Sequence, residues 1–169
     1  QWLDHLPEQI NTITERYQLS QLERADYMNY NYLMTGYQDD TPIMLKLSMF
    51  THLINNEITC LTAYQDRGAI KMLAHEPGMI LMERAQPGTM LKDHYAHDDE
   101  HTITIYCDCA QQLHSAPTPE KHSLPTLPAM LTTLDQDLDI PCHLQTQAQQ
   151  LRDQLLASNR SQSVLLHGD

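Results

Sequence analysis

No apolar run in this 169-residue chain approaches the ~20 residues that span a bilayer. The start, Gln1-Trp2-Leu3-Asp4, has no basic region followed by an apolar stretch, so no signal peptide is visible. Basic residues are scarce: 10 Lys and Arg stand against 22 Asp and Glu, a formal charge of −12. Phosphate backbones need clustered cations, so this balance argues against nucleic acid as a partner and against docking on an anionic membrane. An acid excess favours a cationic ligand or simple solubility. Glycine is equally sparse, with five residues. There is no G-x-G-x-x-G, no GxxxxGK[ST] phosphate loop and no Ser or Cys nucleophile elbow. Four cysteines in a chain of this size do not make a disulfide scaffold; reduced thiols in a cytoplasm fit better. Cys107-x-Cys109 lacks the spacing of a zinc knuckle.

The length fits one domain, and 41% apolar residues can build its core. Leu6, Ile10, Ile13 and Tyr17 recur at helical steps and predict a helix over 5–19. Aromatic and β-favouring residues predict strands over 29–37 and 43–47, joined across the turn residues 36–42 into a hairpin. Phe50, Leu53, Ile54, Ile58 and Leu61 form the apolar stripe of a helix over 48–65. Strands are expected at 69–74 and 79–83, around a His75-Glu76-Pro77-Gly78 turn.

Beyond Gln86-Pro87-Gly88 the pattern turns helical. A helix over 99–115 has Asp98 as its N-cap and Ile103, Tyr106, Cys107, Ala110, Leu113 and His114 on one face. The four prolines of 117–128 predict a loop. Helices follow at 129–138 and 144–158, the latter on Leu144, Ala148, Leu151 and Leu155, with the glutamines of 145–154 on a solvated face. Val164-Leu165-Leu166 is a short β-like run. Strands first and helices after give an α+β pattern, not the alternation of a Rossmann sheet.

Several residues sit where composition alone would not put them. Lys46 lies in the middle of an apolar strand, on the face opposite Ile43, Leu45 and Leu47. An exposed lysine on the open face of a sheet is one reading. Glu57 stands on the apolar stripe of the next helix, three residues after Ile54 and four before Leu61. A carboxylate there must find a cation, reach past the packing or be protonated. The helix directly follows the strand, so a Lys46–Glu57 pair explains both. Asp169, in His167-Gly168-Asp169 after an apolar run, is either a turn former or a carboxylate held on a rigid support. The strand through Met82 and Glu83 runs out at Ala85 between the two halves, where free backbone groups suit a flat heteroaromatic ring. His97-Asp98-Asp99-Glu100-His101 has the composition of a metal cluster, but acids also suit the start of a helix.

In this order the residues resemble a protein-kinase-like phosphotransferase. More narrowly, the chain resembles the aminoglycoside/hydroxyurea antibiotic-resistance kinase family, which contains streptomycin 6-phosphotransferases. The resemblance rests on Trp2-Leu3-Asp4-His5-Leu6-Pro7, Met28-Asn29-Tyr30-Asn31-Tyr32-Leu33, Ile43-Met44-Leu45-Lys46-Leu47, Ile80-Leu81-Met82-Glu83-Arg84-Ala85-Gln86-Pro87-Gly88, Leu113-His114-Ser115 and Val164-Leu165-Leu166-His167-Gly168-Asp169. It departs at Asn29-Tyr30-Asn31-Tyr32, which stands where protein kinases have a glycine-rich loop.

The resemblance implies an N-terminal lobe of antiparallel sheet and helices with the hinge (1–85), then the beginning of a helical C-terminal lobe (86–169). It implies ATP and Mg2+ as cofactors. Lys46 would hold the α- and β-phosphates, and Glu57 would orient Lys46. Glu83 and Ala85 would offer a carbonyl and an N–H to the adenine edge, with Met82 behind them. Asp169 would orient the attacking hydroxyl of a small cationic acceptor. The family's magnesium ligands, an Asn and then an Asp, follow the His-Gly-Asp motif. On this reading the 169 residues are the front part of a longer protein and are inactive alone. Kinases of other small metabolites, such as choline, homoserine or fructosamines, share the scaffold; a non-catalytic nucleotide-binding module is the rival from another class.

Overall fold

A computed structural model describes residues 2–26, 30–158 and 163–166. The chain divides into two units. One contains residues up to Glu120 together with the segment from Val164, and the other spans Lys121–Ser163.

The first unit is built on five antiparallel strands: β1 (Leu19–Arg24), β2 (Tyr32–Gln38), β3 (Thr41–Leu47), β4 (Met72–Glu76) and β5 (Met79–Glu83). Their spatial order is β1-β2-β3-β5-β4. Two helices attach to it, α1 (Trp2–Tyr17) and α2 (Thr51–Ala63). Strand alternation decides which side chain meets which helix. Ile43, Leu45 and Leu47 join Leu6 and Ile13 of α1 in one buried cluster. Met44 points the other way and packs with Ile54 of α2 and with Ile80 and Met82 of β5. The sheet is therefore covered on both faces, and Met79-Ile80-Leu81-Met82 is buried throughout. Such two-sided burial gives a continuous apolar run where a half-exposed strand would alternate.

The hairpin is tighter than its turn residues suggest. Gln38 pairs with Thr41, so Asp39-Asp40 alone make the turn, with Asp39 at φ 52°. Gly36 and Pro42 lie inside strands. Gly36 is needed for close approach: a Cβ there would stand 2.8 Å from the Ser20 carbonyl oxygen and 2.7 Å from Leu22 Cδ2. Pro42 lacks a donor, but it faces the end of β5, where its carbonyl accepts from the Arg84 N–H (3.0 Å) past the last residue of that strand. At the other end of β5, Pro77-Gly78 turn the chain, with Gly78 at φ 79° as a type II turn requires. Strand β1 has no counterpart in the apolar pattern; it is mostly exposed, irregular between Ser20 and Glu23, and left-handed at Gln21.

After β5 come the short α3 (Leu91–His94) and the long α4 (Asp99–His114). The Asp98 carboxylate accepts from the His101 N–H at 3.0 Å, the N-cap its position predicts. The face of α4 read as apolar is not buried: Ile103 and Tyr106 are exposed. Residues 163–166 are irregular and form no strand.

The second unit holds α5 (Leu127–Leu131), a 3-10 turn (Thr132–Asp135) and α6 (Cys142–Ser158). Its glutamines are not merely solvated. Gln145 and Gln149 both donate to the Leu134 carbonyl, at 3.0 and 2.8 Å. Arg152 reaches the Asp135 carboxylate at 2.8 Å, so polar side chains of α6 satisfy groups at the end of the preceding turn. Leu144, Leu151 and Leu155, whose spacing predicts the helix, are exposed. Among the described residues no helix is long and apolar enough to cross a membrane. All four cysteines are free thiols.

Candidate active site

Strand β3 places Lys46 on the α2 face of the sheet, and the stripe of α2 turns Glu57 back toward that face. Lys46 Nζ stands 2.6 Å from Glu57 Oε2. Both side chains are largely withdrawn from water, with 19% and 33% of their surface exposed. The lysine is therefore not an exposed residue on an open sheet, and the carboxylate on an apolar stripe has its cation. A charge-assisted bond of this length fixes the lysine's direction.

Lys46 lies opposite Ile80 of β5, three residues before Glu83. At about 3.3 Å per residue, roughly 10 Å of strand separates the lysine's level from the point where β5 ends. Met44 and Met82 face each other across the two strands between these points. Both pack with Ile54 of α2 on the same face as the lysine, Met82 buried and Met44 half-buried.

The end of β5 has a definite polarity. The Glu83 N–H donates to the Lys71 carbonyl at 3.0 Å, and the Arg84 N–H donates to Pro42. Ala85 lies past the ladder, in an exposed stretch that closes at Gly88, φ 73°, around the Ala85 carbonyl. A cavity of about 330 Å³ is lined by Glu83 together with Leu61, Ile70, Met72, Lys71 and Asp66.

Asp169 lies outside the described residues. The segment before it does not: Leu165 is buried, and its carbonyl accepts from the hydroxyl of Tyr64 at 3.2 Å. Tyr64 caps the C-terminal end of α2, its N–H bonded to the Cys60 carbonyl at 2.9 Å. Burial pushes the Tyr64 phenol above its ordinary pKa, and the neighbouring Cys60 adds to the effect. Burial likewise raises the Cys60 thiol, with the Glu57 carboxylate contributing. No short motif marks Tyr64, but a signal was present. It follows Ile54, Glu57 and Leu61 at ten, seven and three residues, which continues their stripe.

The His97–His101 stretch is used as a helix start, with Asp98 as the cap. Among the described residues no group of three or more His, Cys, Asp or Glu side chains is placed to hold a metal ion.

The family model for aminoglycoside/hydroxyurea antibiotic resistance kinases matches residues 28–169. A comparison with curated proteins finds none that matches.

Proposed function

The chain belongs to the aminoglycoside/hydroxyurea antibiotic resistance kinase family, and from that premise we propose that the whole protein transfers the γ-phosphate of ATP to a hydroxyl of a streptomycin-like aminoglycoside. The observation that carries the nucleotide part is the Lys46–Glu57 pair at 2.6 Å, set on the same sheet face as Met44 and Met82. The distance from that lysine to the end of β5 is comparable with the span from a nucleotide's base to its phosphates. The base would rest against Met44 and Met82, its edge meeting the Glu83 carbonyl and the Ala85 N–H. Lys46, held by Glu57, would lie at the α- and β-phosphates.

Phosphoryl transfer asks the protein mainly for positioning and charge neutralisation. Lys46 supplies fixed positive charge, and Glu57 keeps it from swinging away. Asp169 would orient the acceptor hydroxyl and take its proton as the bond to the γ-phosphorus forms and the bond to the β,γ-bridging oxygen breaks, releasing ADP. Magnesium, when bound, would neutralise charge on the phosphate oxygens. The net charge of −12 suits a cationic acceptor, as does the acidic stretch of Asp93, Asp98, Asp99 and Glu100. Free thiols fit a reducing cytoplasm, where such a resistance enzyme would meet its drug.

The test is ATP consumption by the full-length protein with and without streptomycin. Turnover that appears only with the aminoglycoside supports the reading. Turnover with choline, homoserine or a fructosamine instead reassigns the acceptor, and none with any hydroxyl compound removes the enzymatic reading. In the active protein Asp169→Asn is expected to lower kcat by about 100-fold or more while nucleotide affinity is kept.

A further inference from the structure

The four described residues nearest Asp169, 163–166, have no regular structure, yet one of them is fixed. Val164 and Leu166 are 44% and 46% exposed, while Leu165 between them is 7% exposed. The carbonyl of this residue accepts the bond from Tyr64, which is itself 3% exposed and lies 101 positions earlier in the chain. A loop segment with one buried residue and one buried long-range hydrogen bond is a segment held at a point.

We propose that Tyr64 is a positioning residue: it ties the stretch leading to Asp169 onto the helix that carries Glu57, so that the phosphate-holding pair and the acceptor-orienting carboxylate keep one register. The inference rests on the kinase reading above. Tyr64 follows Glu57 by seven residues, two turns along the same face and about 10 Å down the helix axis. An α-helix two turns long moves as one piece, so any shift of α2 displaces Glu57 and the Leu165 anchor together. In the sequence Asp169 follows that anchor by four residues. The acceptor is a backbone carbonyl, so the specificity resides in the Tyr64 hydroxyl. Without that hydroxyl the buried carbonyl loses its partner, and the segment gains by shifting to find another.

The test is Tyr64→Phe in the full-length protein, which keeps the buried ring and removes the bond. Sites are counted by nucleotide-binding stoichiometry, so that any misfolded fraction drops out. Nucleotide affinity is expected to stay within about twofold of wild type while kcat per binding site falls by about tenfold. Backbone amides of 164–166 are expected to exchange faster with solvent. Should Tyr64→Phe not fold, Leu165→Ala loosens the same tie from the other side and is held to the same readouts. An unchanged kcat per site overturns the proposal and leaves the kinase reading standing. So does a kcat loss matched by an equal loss of nucleotide affinity, because that pattern marks a helix displaced as a whole. Wild-type protein that transfers phosphate to no hydroxyl compound overturns the reading and the proposal together.

Discussion

Lys46 and Glu57 come from adjoining elements, eleven residues apart, and meet at 2.6 Å between the sheet and α2. Each alone is out of place, a cation among aliphatic neighbours and a carboxylate on an apolar stripe. Removing either leaves the other partly buried without its counter-charge. Lys46→Ala is expected to lower kcat/KM for phosphoryl transfer by about 100-fold or more, and Glu57→Gln by about tenfold, because the second keeps the lysine but not its direction. Steady-state kinetics with ATP varied would show it. Full activity in Lys46→Ala would sink the nucleotide-binding role of this face.

Core packing is concentrated in β5. Leu81 has no exposed surface and belongs to the cluster against α1. Leu81→Ala is expected to cost about 2–5 kcal/mol, as expected when a fully buried leucine leaves a cavity. Leu155→Ala, at a position 68% exposed, should stay within about 0.5 kcal/mol of wild type. Urea denaturation compares the two, and equal losses would contradict the burial described.

Gly36 tests the strand that the apolar pattern does not announce. A methyl group there meets a backbone oxygen of β1, which cannot rotate aside. Gly36→Ala is expected to destabilise the protein by about 1–3 kcal/mol through overpacking, against the gain that alanine usually brings to a strand. A stabilised variant would mean that β1 does not lie against β2 in the register described.

A fourth relationship to test joins α1 to β4. Glu76 accepts from Arg16 and from the Tyr17 hydroxyl, and these bonds hold its carboxyl below the ordinary glutamate value, the arginine contributing most. A depressed value in the folded state means that the unfolded state binds the proton more readily. The stabilisation is present above about pH 4.3, the ordinary glutamate value, and is lost as pH falls below it through the depressed one. Wild type should therefore lose more stability than Glu76→Gln between about pH 5 and pH 3. Parallel urea midpoints for the two across that range would remove Glu76 from this role.

Much of the site was legible because misplaced charges are informative. Lys46 and Glu57 violate the apolar pattern of their own elements, and the violation located both. The end of β5 was legible from Gln86-Pro87-Gly88, which cannot continue a central strand. Other features were hidden for physical reasons. Strand β1 exposes Ser20, Gln21, Glu23 and Arg24, so its membership in the sheet rests on backbone pairing that leaves no trace in side-chain polarity. Gly36 and Pro42 read as turn residues because sequence shows their conformational habits but not the neighbour that requires or excuses them. The stripes of α4 and α6 foretold the helices but not their burial, since periodicity fixes a face but not what lies opposite. Gln145 and Gln149 looked like solvated side chains because their acceptor, the Leu134 carbonyl, is set by a turn. Tyr64 was visible only as one more stripe residue, its partner being a main-chain atom 101 positions away.

The covering of the sheet on both faces also bears on which changes of length the protein can accept. In β3 a single inserted or deleted residue would rotate every following side chain to the opposite face. Lys46 would then point into the cluster of Leu6, Ile13 and Leu81, a dry layer with no carboxylate to receive it. The same slip would push Leu45 or Leu47 against Glu57. Length variation among natural versions of this chain should therefore avoid 41–47 and 79–83 and gather at the Asp39-Asp40 tip, where an added residue lengthens a turn and leaves the pleat in phase.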